Sequence, residues 1–217
     1  IVVLLAAWSV FVGDHRMLIP LAIAATFAAQ THIPYLVVAG AIGVAATLVV
    51  VVRAWRGDDR RPYIASLAWT AGVFAVLWLA PGIDQIRRDP GNIRRLIEHF
   101  TAPSEETVGL IGGLELLMRH LDIVQAYGGL LTGTGSFIEA GLDPSGPIWP
   151  GVIVFAVWVA SVVAAVRLAG GRPMRSPLVM LHVTVLVTLI VSLASMMKIF
   201  GKIWYYLTLW AWGTTTL

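Results

Sequence analysis

The chain contains no cysteine in 217 residues, which excludes disulfides and thiolate metal sites. Charge is also scarce. Only 12% of the residues are Asp, Glu, Lys or Arg, against about a quarter in an ordinary soluble domain. The net charge is +3, and the arginines sit in short clusters without a basic face or interleaved aromatics. Nucleic acid is therefore excluded as a partner class. No HExxH or similar metal spacing occurs. Gly133-Thr134-Gly135-Ser136 lacks both a preceding strand and the lysine of a phosphate loop, and reads as an external loop. Ile1–Val12 lacks the basic segment and cleavage site of a signal peptide.

What the chain has instead is apolar surface in runs, with 58% of residues hydrophobic. Such runs mark an integral membrane protein. Seven can be read: Ile1–Val12, Met17–Ala29, Tyr35–Val52, Tyr63–Ala80, Gly151–Val166, Leu178–Met197 and Ile203–Trp212. Four approach the roughly 20 residues that a bilayer requires; the first two and the last are shorter. The expected fold is all-α, a polytopic transmembrane helical bundle with an extracytoplasmic helical loop region. Residues 1–80 and 149–217 carry the membrane helices, and residues 81–148 form the outer segment. Because the chain begins and ends inside apolar runs, it reads as a fragment of a longer protein.

Orientation follows from the basic loops. Arg53, Arg56, Arg60 and Arg61 crowd one short loop, and Arg167, Arg172 and Arg175 crowd another two spans later. The positive-inside rule places both in the cytoplasm. The segment Pro81–Trp149 then lies outside, together with His32 and Lys198–Lys202. Within it, apolar residues at 93, 96, 97 and 100 predict a short surface helix over Ile93–Phe100. A second amphipathic helix is expected from about Thr107 to Tyr127, capped by Ser104-Glu105-Glu106-Thr107. Gly128–Gly146 reads as an irregular loop.

Candidate site residues gather at the outer ends of spans, and each has a bland alternative. His32 can contact a phosphate or act as acid or base, or serve only as a helix-end residue among headgroups. Arg87 and Arg88 can fork onto a lipid phosphate, or merely anchor the span. Asp84 and Gln85 are polar groups at the same exit, and a lone carboxylate is weak support for a hard cation. Asp89-Pro90-Gly91-Asn92 is foremost a turn. Glu115, Arg119, His120 and Asp122 share two helical turns, where Glu115 and Arg119 can simply pair. Lys198 and Lys202 can receive an anionic lipid or snorkel to headgroups. Packing or a headgroup contact accounts for His182.

Several stretches together resemble a family. They are Ala7-Trp8-Ser9-Val10-Phe11-Val12-Gly13-Asp14-His15-Arg16, Ala28-Ala29-Gln30-Thr31-His32, and Trp78-Leu79-Ala80-Pro81-Gly82-Ile83-Asp84-Gln85 with Pro90-Gly91-Asn92. Trp204-Tyr205-Tyr206-Leu207 with Trp210-Ala211-Trp212 completes the set. They resemble actinobacterial polytopic membrane proteins related to the GT-C glycosyltransferases. The resemblance implies transfer of a sugar from a polyprenyl-phosphate donor to an acceptor outside the bacterial cytoplasmic (plasma) membrane. Its partners would be membrane lipid and a polyprenyl-phosphate-linked sugar. It also implies that the catalytic carboxylate, and any divalent metal, lie in an earlier external loop before Ile1. On this expectation His32, Arg87, Arg88 and Lys202 contact donor phosphate, while Asp84 and Gln85 orient donor or acceptor. The rivals are a non-catalytic membrane subunit or scaffold and a lipid transporter. Tyr35–Val52, Gly151–Val166 and Val183–Met197 contain no ionisable side chain apart from the terminal tyrosine, which counts against ion-coupled transport.

Overall fold

The computed structural model describes residues 1–102, 105–122, 147–201, 203, 207–208 and 211–215. Every regular element among them is helical. The chain divides into two compact units, Val2–Glu105 and Glu106–Leu217, with Ile1 assigned to the second.

The first unit contains α1 (Val2–Val12), a 3-10 turn at His15–Met17, α2 (Leu18–Thr31), α3 (Ile33–Arg56), α4 (Arg61–Leu77), α5 (Leu79–Arg87) and α6 (Asn92–Thr101). Of these, α3 is long and apolar enough to cross a membrane. Its buried residues Val38, Ile42, Ala46, Val50 and Ala54 recur every fourth position and form one inward stripe. On its other faces Val44 and Leu48 are exposed although apolar, as a lipid-facing helix requires. His32 alone breaks α2 from α3, with extended backbone at φ −159° and ψ 126°. Pro34 follows within the first turn of α3, where a missing N–H costs no helical bond.

Two side chains donate to carbonyls at helix ends. Arg53 donates to the Val10 and Phe11 carbonyls, both at 2.6 Å, and so closes the end of α1. The last carbonyls of a helix have no internal donor, and a guanidinium fork fits two of them at once. Gln30 meets a different need. In a continuous helix the Leu77 carbonyl would accept from residue 81, but Pro81 has no N–H. The Gln30 amide, reaching from α2, donates to that carbonyl at 2.9 Å. Here α4 stops, and α5 leaves it at 48°. The apolar run expected to end as a plain span at Ala80 is thus a bent pair of helices. Pro81 lies in the first turn of α5, a position that tolerates proline.

The second unit contains α7 (Gly109–His120), α8 (Trp149–Leu168), a 3-10 turn at Pro173–Arg175, α9 (Pro177–Met196) and α10 (Trp212–Thr215). Both α8 and α9 are long and apolar enough to cross a membrane. Thr184 and Thr188 are buried in α9, and their hydroxyls donate to the carbonyls one turn back, at 2.9 and 2.8 Å. This internal bonding suits a setting without water. Gly151 of α8 lies so close to the Met118 carbonyl of α7 that any side chain would collide with it. At the start of α7, the Val108 N–H donates to Ile199 O at 2.8 Å. The helix expected to run to Tyr127 ends at His120: Asp122 N–H turns back to Arg119 O at 3.2 Å. Residues 123–146, including the Gly133–Ser136 loop, lie outside the described residues.

A double-mutant cycle tests the proline account. Gln30→Ala should destabilise the protein by about 0.5–1.5 kcal/mol. In a Pro81→Ala background, where residue 81 supplies its own N–H, the same change should cost little. Unfolding in detergent measures the coupling, and equal costs in both backgrounds would contradict the account.

Candidate functional site

The polar corner where α5 meets α6 holds four of the six sequence-predicted site residues. Asp84 points one carboxylate oxygen at Arg88 Nε, 2.8 Å away one turn on. Its other oxygen accepts from Asn92 Nδ2 at 2.8 Å. Gln85 Oε1 accepts the Ile93 backbone N–H at 2.8 Å. The residue at the start of α6 is Gly91, which has no side chain to cap the helix, so Gln85 supplies the cap from the preceding helix. Gly91 is buried directly against the Gln85 amide, and a Cβ there would strike it. Asp84 and Gln85 therefore fix the angle between two short helices.

The arginines are placed differently. Arg87, Arg88, Arg94 and Arg95 are all exposed. Arg88 is held by Asp84, and Arg94 pairs with Glu98 at 2.9 Å. Arg87 and Arg95 have no side-chain partner among the described residues. The corner also exposes a set of large apolar side chains: Ile83 and Ile86 on α5, and Ile93, Ile97 and Phe100 on α6. On α6 these three lie on one face, with Arg94, Arg95 and Glu98 turned away from it. An exposed apolar face beside several arginines is the pattern of a helix lying in a membrane interface.

His32 stands at the α2–α3 break, half-buried, with its ring 6.0 Å from that of Tyr35. The Gln30–Leu77 bond ties this end of α2 to the end of α4. The Trp78 indole reinforces the tie by donating to the buried Thr26 hydroxyl at 3.1 Å. The His32 turn and the start of α5 are thus brought to the same end of the first unit. Lys202 lies outside the described residues. No cluster of three or more His, Asp or Glu able to hold a metal occurs among the described residues.

In the second unit a buried pair escapes any reading of the sequence. His120 Nδ1 lies 2.8 Å from the Leu116 carbonyl, and Nε2 lies 2.7 Å from the Thr208 hydroxyl. A carbonyl only accepts, so Nδ1 carries the proton and Nε2 accepts from Thr208. This is a base bonded to a hydroxyl, but both residues are buried, so the pair locks α7 in place. Burial pushes the imidazole pKa below its ordinary 6.5, partly offset by the bond to Leu116. No local signal could have paired residues 88 positions apart. Glu115 and Arg119 approach each other at 3.7 Å on the same helix.

No family model, curated protein or solved structure matches the chain, so its geometry and composition alone carry the functional reading.

The buried imidazole sets a pH dependence. Above the ordinary value of 6.5, His120 is neutral whether the protein is folded or not. As pH falls below that value the unfolded chain binds the proton first, so stability declines by up to about 1.4 kcal/mol per pH unit. The loss levels off once the folded imidazole is protonated. Unfolding in detergent at about pH 7.5 and about pH 5.5 should give a smaller difference for His120→Gln than for the unaltered protein. Equal pH dependence would contradict the assignment.

Proposed function

We propose that the chain is part of a membrane glycosyltransferase of GT-C type in the bacterial cytoplasmic membrane. It takes a sugar from a polyprenyl-phosphate donor and passes it to an acceptor on the outer side. The observation that carries this reading is the corner itself. A membrane-length apolar stretch bends at Trp78, three residues before Pro81, into short helices that expose arginines beside an apolar face. An arginine at a membrane surface is suited to a lipid phosphate, because its fork matches two phosphate oxygens. Arg87 and Arg88, with His32 at the same end of the unit, are the residues assigned to the donor phosphate. Asp84 and Gln85 act through the angle they hold, and so orient the donor indirectly. Lys202 belongs to the same assignment on sequence grounds.

A non-catalytic membrane subunit is the second reading. It is favoured by one observation: both oxygens of Asp84 and the side-chain oxygen of Gln85 are already engaged in the corner.

Replacing Arg87 and Arg88 together with Ala in the intact protein tests the assignment. A charged hydrogen bond contributes about 1.5–3 kcal/mol, so affinity for a polyprenyl-phosphate sugar should fall at least about tenfold. Unchanged donor affinity and turnover in a folded variant would sink the assigned role.

A further inference from the structure

One end of the first unit gathers arginines from three places in the chain. Arg53 donates to the Val10 and Phe11 carbonyls, which sets the last turns of α3 beside the end of α1. The turn after α1 is held to the first turns of α4. His15 Nδ1 lies 2.7 Å from the Ser66 hydroxyl, and the His15 ring lies 4.8 Å from that of Tyr63. Arg16 on the turn, Arg56 at the end of α3 and Arg61 at the start of α4 therefore stand at the same end of the helices.

The carboxylates nearby do not neutralise them. Asp14 Oδ1 accepts the Arg16 backbone N–H, and Asp59 Oδ1 accepts that of Arg61, both at 3.1 Å. Asp14, Asp58 and Asp59 form no ion pair among the described residues. The side chains of Arg16, Arg56 and Arg61 are exposed and make no hydrogen bond or ion pair among the described residues. Arg60 reaches only the Trp55 carbonyl, at 3.5 Å. The α5–α6 corner differs: there Arg88 and Arg94 each meet a carboxylate one turn away. Five arginines (Arg16, Arg53, Arg56, Arg60 and Arg61) against three carboxylates leave this end with a net charge of +2.

Depth decides what meets that charge. Arg56 stands about 35 Å along α3 from Ile33, at 1.5 Å per residue. A hydrocarbon core is about 30 Å thick, so with α3 across a bilayer this guanidinium reaches the headgroup layer. Trp55 beside it is 74% exposed, and an indole favours that same layer. The anions at this depth are lipid phosphates, and a guanidinium fork matches two phosphate oxygens. A zwitterionic lipid brings an ammonium with its phosphate and leaves the excess charge in place. A lipid of net negative charge compensates it.

We propose that Arg16, Arg56 and Arg61 bind the headgroup of an anionic phospholipid, which bridges the α1–α2 turn and the α3–α4 loop. This site lies at the other end of α4 from the corner assigned to the donor phosphate, and it does not depend on that assignment.

The test uses the intact protein in a mild detergent with a phosphatidylglycerol that carries a photoreactive diazirine on its headgroup. Irradiation followed by peptide mass spectrometry should place label on residues 13–16 and 55–63. Unmodified phosphatidylglycerol should compete for this labelling, whereas phosphatidylethanolamine and inorganic phosphate should not. Arg16→Gln with Arg61→Gln removes two exposed charges and should lower labelling there at least about tenfold, since one arginine at an anionic lipid surface is worth about fivefold. Arg172→Gln with Arg175→Gln removes two exposed charges from the second unit and should leave it unchanged. Three results would overturn the proposal: full labelling of these residues without Arg16 and Arg61, equal competition by phosphatidylethanolamine, and displacement by inorganic phosphate alone.

Discussion

One carbonyl organises the first unit. Proline at position 81 cannot donate to Leu77, and a lone carbonyl is costly wherever water is scarce. Gln30 reaches across from α2 to satisfy it. That bond holds the end of α4 against the end of α2 while α5 turns away. The bend ends the apolar stretch and directs Asp84, Gln85, Arg87 and Arg88 into a polar corner. The same contact brings the His32 turn to that end of the unit. Site and fold share one cause.

The remaining polar contacts obey the same constraint. Arg53 closes the end of α1 by taking two of its last carbonyls. Thr184 and Thr188 return their hydroxyls to their own helix. The buried His120 uses both ring nitrogens, one on a carbonyl and one on a hydroxyl. Each arrangement hides a polar group inside an apolar chain.

Sequence makes some of this legible and hides the rest for physical reasons. The helices over Ile33–Arg56, Trp149–Leu168 and Pro177–Met196 follow from uninterrupted apolar runs, since run length is a local property. The surface helix after Gly91 follows from its apolar spacing and lies within one residue of the expected bounds. The bend is less legible. Pro81 is visible, but it reads as the end of a span, and nothing local names Gln30 as the donor that lets a second helix start there. Asp84 and Gln85 read as substrate-facing groups because their chemistry allows it. Their partners, Asn92 and the Ile93 amide, sit eight residues away and are set by the corner's geometry. Thr208 gives no signal at all, since its only distinction is where the fold places it.

The functional account depends on the corner lying at the membrane surface, with its isoleucines in the interface and its arginines at the level of lipid phosphate. The absence of native cysteine allows single spin labels to be introduced without background. The most direct measurement is the depth of such labels on α6 in lipid vesicles, read from their collisions with oxygen and with a water-soluble relaxant. The account predicts that a label at Ile97→Cys sits at headgroup depth or below, while one at Arg94→Cys stays in water. Equal exposure of both labels to the aqueous relaxant would contradict it.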